Sequence, residues 1–286
     1  MRTLKTGFLL TLLTLLLVFG GGALAGRQGM TFGLIIAVLM NGIAYFFSDK
    51  IALASSGARP VSREEAPRLY AVMERLAAKG NLPMPKLYVI PQAAPNAFAT
   101  GRNPSHASVA VTQGLLELMN DDELEGVIAH ELSHVRNYDI LTTSIAATLA
   151  GAITWIAQMG RFALIFGGYG GGDRDRRGGG GLEALLMLIV APLAALLIQL
   201  GISRQREYAA DAAGARLVGH PYGLISALEK LGAYNKRIPM TNVSPATSSL
   251  YIVRPLSSGQ VFAGLFSTHP PLPDRIETLR RMTITR

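Results

Sequence analysis

The sequence contains no cysteine, which excludes disulfide bonds, zinc held by thiolates and a cysteine nucleophile. Any bound metal must therefore be held by histidine, aspartate or glutamate side chains. Charged residues are also scarce, at 16% of the chain, whereas apolar residues make up 49% of it. This balance is typical of membrane proteins.

No basic stripe with interleaved aromatic residues accompanies the formal net charge of +8, so we expect no nucleic-acid partner. Basic residues beside apolar segments are typical of membrane proteins, because anionic lipids and the topology rules both favour them there. The sequence therefore predicts contact with the lipid bilayer.

Four apolar stretches dominate the chain, and each is near the roughly 20 residues that a helix needs to cross the hydrocarbon layer. They cover residues 8–24, 30–47, 140–166 and 182–202. The first two are close enough to form a helical hairpin. An alternative for the first stretch is a cleavable signal peptide, because basic residues precede it and residues 23–25 form an Ala-Leu-Ala cleavage pattern.

A Gly-rich loop at residues 167–181 joins the last two stretches. It lacks the preceding strand and the Lys-Ser/Thr pair of a phosphate-binding loop, so a flexible linker is the better interpretation.

The remaining segments predict a mostly helical protein with a small β-sheet, an α+β fold. Ser62 is a candidate N-cap for one helix, and Asn120 with Glu123 forms a capping-box pattern for another. Three short runs, PKLYVIP, NAFATG and ASVAVT, predict the sheet. We expect four segments: a hairpin (1–50), a first soluble part (51–139), a second hairpin (140–203) and a second soluble part (204–286).

The segment VIAHELSHVRN holds two of the five histidines in the chain. Residues four apart lie on one face of a helix, so His130 and His134 can bind one ion. Glu131 would then stand beside the metal, where a carboxylate can take a proton from water. This His-Glu-x-x-His arrangement is the signature of zinc peptidases.

A catalytic zinc usually takes three protein ligands, and no further histidine closely follows His134. The segment REYAADAAG supplies Glu207 as a candidate third ligand. Asp211, four residues later on the same helical face, would hold the outer nitrogen of a ligand histidine. The alternative is an ordinary helix that happens to carry two histidines. The apolar neighbours of the pair and the matching downstream helix favour the metal site.

The motifs HELSHVRNYD, SRQREYAAD and STHPPLPDRI, in this order and with an apolar hairpin between the first two, resemble HtpX-type membrane zinc metalloproteases. These are bacterial heat-shock proteases related to the CAAX prenyl proteases, and the resemblance covers nearly the whole chain. It implies a zincin-like metalloprotease domain combined with four transmembrane helices. It also implies one Zn2+ per chain, with His130, His134 and Glu207 as ligands and Glu131 as catalytic acid/base.

The same resemblance implies a zinc metalloendopeptidase of the bacterial inner membrane that cleaves misfolded or damaged membrane proteins and unfolded polypeptides as part of a stress response. Homo-oligomerisation is left open. A rival function is a zinc-binding membrane chaperone or scaffold without peptidase activity. A metal transporter ranks last, because the apolar stretches contain almost no ionisable residues.

Other residues are candidates for supporting roles. His269 is expected to donate a hydrogen bond to the oxyanion, or else to be a turn residue. Asn96, Ala97 and Phe98 are expected to form an edge strand that pairs with an extended substrate, or else to pack in the sheet. Asn137 is expected to orient a ligand or to cap its helix.

The positive-inside rule predicts both termini and the zinc site in the cytoplasm, because basic residues are more numerous on that side. There are two alternatives to this topology. In one the site faces outward, and in the other the third and fourth stretches do not fully cross the membrane.

Overall fold

The computed structural model describes residues 2–166, 204–235, 237, 250–253 and 270–283. The chain starts with a long apolar helix, α1 (Arg2–Ser55), which is broken at Ala25 and Gly26, where φ and ψ are non-helical. Gly26 has a φ of 58°, a conformation that glycine adopts without steric cost. The break lets the two halves of α1 lie side by side.

Contacts between the two halves hold the predicted N-terminal hairpin together. The side-chain amide of Asn41 donates hydrogen bonds to the Leu10 carbonyl at 3.2 Å and to the Thr14 hydroxyl at 2.9 Å. Further along, Gly29 lies so close to the other half that a Cβ would come within 1.9 Å of the Gly21 carbonyl oxygen. The hairpin expected from the sequence is therefore present.

Among the described residues, one helix, Ala25–Ser55, is long and apolar enough to cross a membrane. Large apolar side chains on it face outward, and Phe32, Val38 and Leu39 are 68%, 64% and 61% exposed, as expected for a lipid-facing surface. The apolar segments Thr6–Gly22 and Asp139–Ile153 are shorter, and the second of them is the first part of a helix that continues to Phe166. The finding is thus one clear span candidate, whereas the sequence predicts four. The Gly-rich loop and the fourth stretch lie outside the described residues.

A small mixed sheet follows the hairpin. Its strands are β1 (Arg59–Pro60), β2 (Lys86–Ile90), β3 (Ala97–Gly101) and β4 (Ala107–Thr112), in the order β1-β2-β4-β3. β2 and β4 are parallel, and the other two pairs are antiparallel. The three predicted strands are confirmed, and β3 lies at an edge of the sheet, as the sequence analysis expects.

The described residues form seven further α-helices. They are α2 (Pro67–Lys79), α3 (Gln113–Leu118), α4 (Asp121–Arg136), α5 (Asp139–Phe166), α6 (Arg204–Val218), α7 (Tyr222–Asn235) and α8 (Leu272–Arg280). The capping box of Asn120 and Glu123 is confirmed at the start of α4. Ser62 is not the N-cap of α2, and that prediction is wrong. The helix begins at Pro67, whose fixed φ suits a first helical position, and Ser62 instead accepts a hydrogen bond from the Glu65 amide in the preceding turn.

Helix α4 packs against α2, α6, α7 and β3. Its apolar side chains Leu124, Val127, Ile128 and Leu132 are fully buried. Because neighbours cover it on several sides, polar groups on α4 are held away from bulk water. Those polar groups are the histidines and the glutamate of the candidate site.

Candidate active site

Helix α4 presents both histidines of the sequence motif to one cavity. His130 and Glu131 are buried, with 1% and 2% of their surface exposed, and His134 is partly buried. All three line the same cavity, together with Glu207 from α6. Burial of so many ionisable groups is costly unless they are paired or bind a metal.

The approach of α6 to α4 depends on a glycine. A Cβ on Gly214 would lie only 2.9 Å from the backbone nitrogen of His130 and 3.0 Å from the carbonyl carbon of Ala129. No larger residue fits there without separating the helices. This close contact brings Glu207, two turns earlier in α6, to the histidines.

The distances between these donor atoms fit a single metal ion. His130 Nε2 and His134 Nε2 are 3.2 Å apart, and the Glu207 carboxylate oxygens lie 3.7 Å and 3.5 Å from them. Zinc bonds of about 2.0–2.1 Å in a tetrahedron place neighbouring donors about 3.3 Å apart. One ligand atom from each residue lies within 4.8 Å of the others. The three residues can therefore hold one metal ion with little movement.

Asp211 holds the outer nitrogen of His130, at 2.8 Å from Nδ1. This contact keeps the proton on Nδ1 and leaves Nε2 free to bind a metal. The sequence predicts such a role for Asp211 without indicating which histidine it holds, and in the structure that histidine is His130. Arg275 donates hydrogen bonds from Nε and Nη2 to the same carboxylate, at 2.8 Å and 2.6 Å. Although burial alone would raise it, the Arg275 charge holds the pKa of Asp211 well below its usual range.

Asp139, the first residue of α5, lies beside His134 in the same way that Asp211 lies beside His130. Its carboxylate is 3.4 Å from His134 Nδ1 and also accepts a hydrogen bond of 3.4 Å from Arg206. Burial alone would lower the pKa of His134, but the carboxylates of Glu207 and Asp139 outweigh it and raise this pKa to about 9. In the absence of a metal, His134 is therefore protonated at neutral pH.

Glu131 points into the cavity next to the ligand set rather than into the protein core. Burial raises the pKa of its carboxyl group, while the imidazoles of His130 and His134 and a backbone hydrogen bond with Ala99 pull the pKa down. A carboxylate with a raised pKa is suited to take a proton and later return it. The position of Glu131 therefore fits an acid/base role.

Two of the candidate substrate-binding residues, Ala97 and Phe98, lie in β3, and Asn96 directly precedes this strand. Ala97 and Asn96 are fully buried, and Phe98 packs beneath the sheet against Tyr251, with ring centroids 5.1 Å apart. Ala99 is the residue of this strand that lines the cavity. The backbone of β3 thus passes close to Glu131, while the Phe98 side chain serves packing.

Of the two remaining candidate residues, Asn137 is among the described residues and His269 is not. Asn137 is the C-cap of α4, and its amide donates to the Ser133 carbonyl at 3.0 Å, so it has the capping role that the sequence analysis offered as one choice. His269 lies outside the described residues.

Two residues of the site, Arg275 and Asp139, are not among those predicted from the sequence. Arg275 lies in the PDRI segment, 64 positions from the Asp211 that it binds, and no local spacing relates the two. Asp139 is five positions after His134, beyond the end of α4. Its acidic side chain at the start of an apolar helix is the one signal that could have found it.

The chain is similar to known proteins over most of its length. The model of Peptidase family M48 matches residues 63–283. A protein named "Protease HtpX homolog" from Desulfatibacillum aliphaticivorans is 55% identical over 277 residues, which cover 96% of this chain and 88% of that one. Another protein of the same name, from Syntrophotalea carbinolica, is 53% identical over 284 residues, 99% of this chain and 100% of that one.

A solved structure with a similar fold is that of S. mikatae Ste24p. It matches with a TM-score of 0.51 and 21% sequence identity, over 93% of this chain. The chain spans 61% of the length of Ste24p. At this level of identity the similarity concerns the fold.

Proposed function

The chain belongs to peptidase family M48 and is a membrane-associated metalloendopeptidase, and from this premise we propose that its metal is zinc and its substrates are membrane proteins. More specifically, it would cleave misfolded or damaged membrane proteins and unfolded polypeptides, as part of membrane quality control. The observation that carries the zinc proposal is the buried cluster of His130, His134 and Glu207.

The donor set supports zinc over magnesium or calcium. Two imidazoles and one carboxylate are typical zinc ligands, whereas magnesium and calcium prefer oxygen ligands alone. Three protein ligands leave a fourth position for water or substrate, as catalytic zinc sites require. The Asp211 contact with His130 supplies the outer hydrogen bond that such a ligand needs.

The catalytic step follows from the residues around the ligands. A zinc ion held there would supply Lewis-acid chemistry, because it lowers the pKa of water toward about 7 and polarises a carbonyl group. Glu131 takes the proton from the attacking water and then donates it to the leaving amine. His269 would donate a hydrogen bond to the oxyanion. No covalent intermediate with the protein is expected.

The position of the cavity at the start of the apolar helix α5 supports membrane proteins as substrates. Ile140 and Thr143, in the first turns of α5, line the cavity, and α5 continues as an apolar helix that packs against α1 through Leu9, Leu13 and Leu149. The hydroxyls of Thr100 in β3 and Ser144 in α5 are 2.7 Å apart, which ties the sheet to this helix. A substrate that leaves the bilayer along α1 and α5 would therefore arrive at the site.

We also propose the organisation that the sequence suggests. Residues 51–139 and 204–286 form one metalloprotease domain, interrupted by a second membrane hairpin at 140–203, and residues 1–50 form the first hairpin. The packing of α4 against both α2 and α6 supports a single domain. We further propose that four helices span the bacterial inner membrane and that both termini and the zinc site lie on its cytoplasmic side.

Cleavage in proteoliposomes tests the substrate proposal. We expect the wild type to cleave a destabilised variant of a membrane protein faster than its stable parent, and the Glu131→Gln variant to cleave neither. Zinc added after chelation should restore the activity. Equal cleavage of stable and destabilised substrates would contradict the quality-control role.

Thiol labelling tests the sidedness, because the natural chain contains no cysteine. Ser105 lies in an exposed turn of the soluble part, and Arg27 is exposed at the opposite end of the hairpin. In intact cells we expect a membrane-impermeant reagent to label Arg27→Cys and not Ser105→Cys. The reverse pattern would place the zinc outside.

A zinc-binding chaperone without peptidase activity is not favoured. Such a protein has no need for a buried acid/base residue, yet Glu131 lines the same cavity as the three ligands.

A further inference from the structure

A short segment that is distant in sequence from the metal ligands forms part of the wall of their cavity. Leu250, Tyr251 and Ile252 line this cavity together with His130 and Glu131. The segment Leu250–Val253, which we call the plug, is not part of a helix that carries a ligand. Its position therefore needs a separate explanation.

The plug contacts β3 through its backbone, in the way that an added strand does. The Ile252 amide donates to the Ala97 carbonyl at 2.9 Å. The Asn96 side chain donates to the Val253 carbonyl at 2.6 Å and accepts from the Val253 amide at 3.3 Å. Backbone contacts of this kind do not depend on side-chain identity, so any extended peptide can make them.

These contacts use the side of β3 that faces away from the sheet. The Asn96 carbonyl accepts from the Thr112 amide of β4, so the carbonyl of the next residue, Ala97, points the other way, because backbone groups alternate along a strand. Ala99, two residues further, has the same direction, and its backbone bonds to Glu131. The outer edge of β3 thus leads from the plug to the acid/base residue.

Two further contacts fix the plug. Arg275 donates a hydrogen bond of 2.9 Å to the Ile252 carbonyl. The Tyr251 ring is 1% exposed and packs in an apolar cluster that includes Phe98, Leu53 and Ile90. The backbone contacts are generic, whereas Tyr251 supplies the specific anchor.

We propose that the plug occupies the place of the substrate backbone on the outer edge of β3, and that a polypeptide must displace it before cleavage. This inference rests on the proposed function, in which an extended substrate pairs with β3. The plug limits cleavage to segments that can compete for the edge, such as unfolded chains. It raises KM without changing the chemical step, since only the fraction of molecules with an open edge binds substrate.

Loosening the anchor tests this directly with full-length protein in detergent and a quenched fluorescent peptide. Tyr251→Ala and Ile252→Pro each remove one contact, the ring packing and the donated hydrogen bond. One hydrogen bond corresponds to about two- to tenfold in an equilibrium, and the loss of a buried aromatic ring to more than that. We therefore expect KM to fall about two- to tenfold in Ile252→Pro and by at least as much in Tyr251→Ala, with kcat unchanged in both. Tyr251→Phe, which keeps the ring, should match the wild type. An unchanged or higher KM in both loosened variants would overturn the proposal.

A second measurement does not depend on turnover. In a zinc-loaded Glu131→Gln background, Val253→Cys gives a single thiol at a position that is 7% exposed in the wild type. Binding of the same peptide, followed by its fluorescence anisotropy, should accelerate thiol labelling at this position. Labelling of the control Ser105→Cys should stay constant.

The outcomes separate this inference from the proposed function. Peptide binding without faster labelling of Val253→Cys overturns the plug alone and leaves the peptidase assignment intact. Binding that appears only when Tyr251→Ala is added supports the plug. Absence of peptide binding in both backgrounds overturns the proposed substrate path and the plug together.

Discussion

Among the described residues, Arg275 is the one arginine or lysine that pairs with the Asp211 carboxylate. Its side chain is fully buried and donates two hydrogen bonds to Asp211, at 2.8 Å and 2.6 Å. Glu207 is 3.8 Å from the same guanidinium. Replacement by methionine keeps much of the volume and removes the charge. The buried Asp211 carboxylate is then left without its guanidinium partner.

Loss of one partner of a buried pair costs about 3–5 kcal/mol in the free energy of unfolding. For a chain of this size each kcal/mol lowers Tm by about 2–4 °C, so we expect Arg275→Met to lower Tm by about 6–20 °C at pH 7.5. The matched control is Arg280→Met, because Arg280 lies in the same helix and pairs with Glu229 at the surface, where both side chains are about half exposed. Exposed pairs contribute at most about 1 kcal/mol.

The stability loss of Arg275→Met should depend on pH, because the ionisation of Asp211 changes. In the wild type the pKa of Asp211 is lowered, so its contribution to stability is present above its ordinary pKa of about 3.9 and is lost only as pH falls through the lower folded value. In Arg275→Met, burial raises that pKa instead. The deficit of the variant should therefore be largest at neutral pH and shrink toward pH 5. Differential scanning fluorimetry of the detergent-solubilised proteins measures both. A Tm for Arg275→Met within about 3 °C of Arg280→Met at pH 7.5 would refute the reasoning.

Three further predictions concern the metal site. Gly214→Val should push α6 away from His130, weaken zinc binding in a chelator competition and cost about 1–3 kcal/mol of stability; unchanged zinc affinity would contradict the close-contact argument. Because the pKa of His134 is raised to about 9, metal-free protein should lose stability as pH rises from about 6.5 toward 9. Zinc affinity should rise over the same pH range, because the proton on His134 no longer competes with the metal. Calorimetry of zinc binding in buffers of different ionisation enthalpy should detect the released proton. Glu207→Gln should keep the fold by circular dichroism but bind zinc at least about tenfold more weakly, and wild-type affinity would exclude Glu207 as a ligand.

The local parts of the site could be predicted from the sequence. The spacing of His130 and His134 and the capping box at Asn120 depend only on helix geometry, and both are present in α4. The Glu207–Asp211 spacing likewise predicted one helical face. The choice of His130 as the partner of Asp211 could not be predicted, because it depends on the angle at which α6 crosses α4.

Contacts between distant segments account for what the sequence did not reveal. Arg275 contacts Asp211, and Val253 contacts Asn96 across 157 positions. No periodic sequence pattern predicts either contact. The edge position of β3 was predicted, but its cover by the plug was not. In the same way, β1 is only two residues long and exists through its pairing with β2 rather than through any strand pattern of its own.

The central claim is that Glu131 performs acid/base chemistry beside a zinc ion held by His130, His134 and Glu207. The most direct test measures bound zinc and casein cleavage side by side for purified wild type and Glu131→Gln. We expect one zinc per chain in both proteins, and a loss of cleavage of about 100-fold or more in the variant. Full cleavage by zinc-loaded Glu131→Gln, or the absence of zinc from both proteins, would contradict the account.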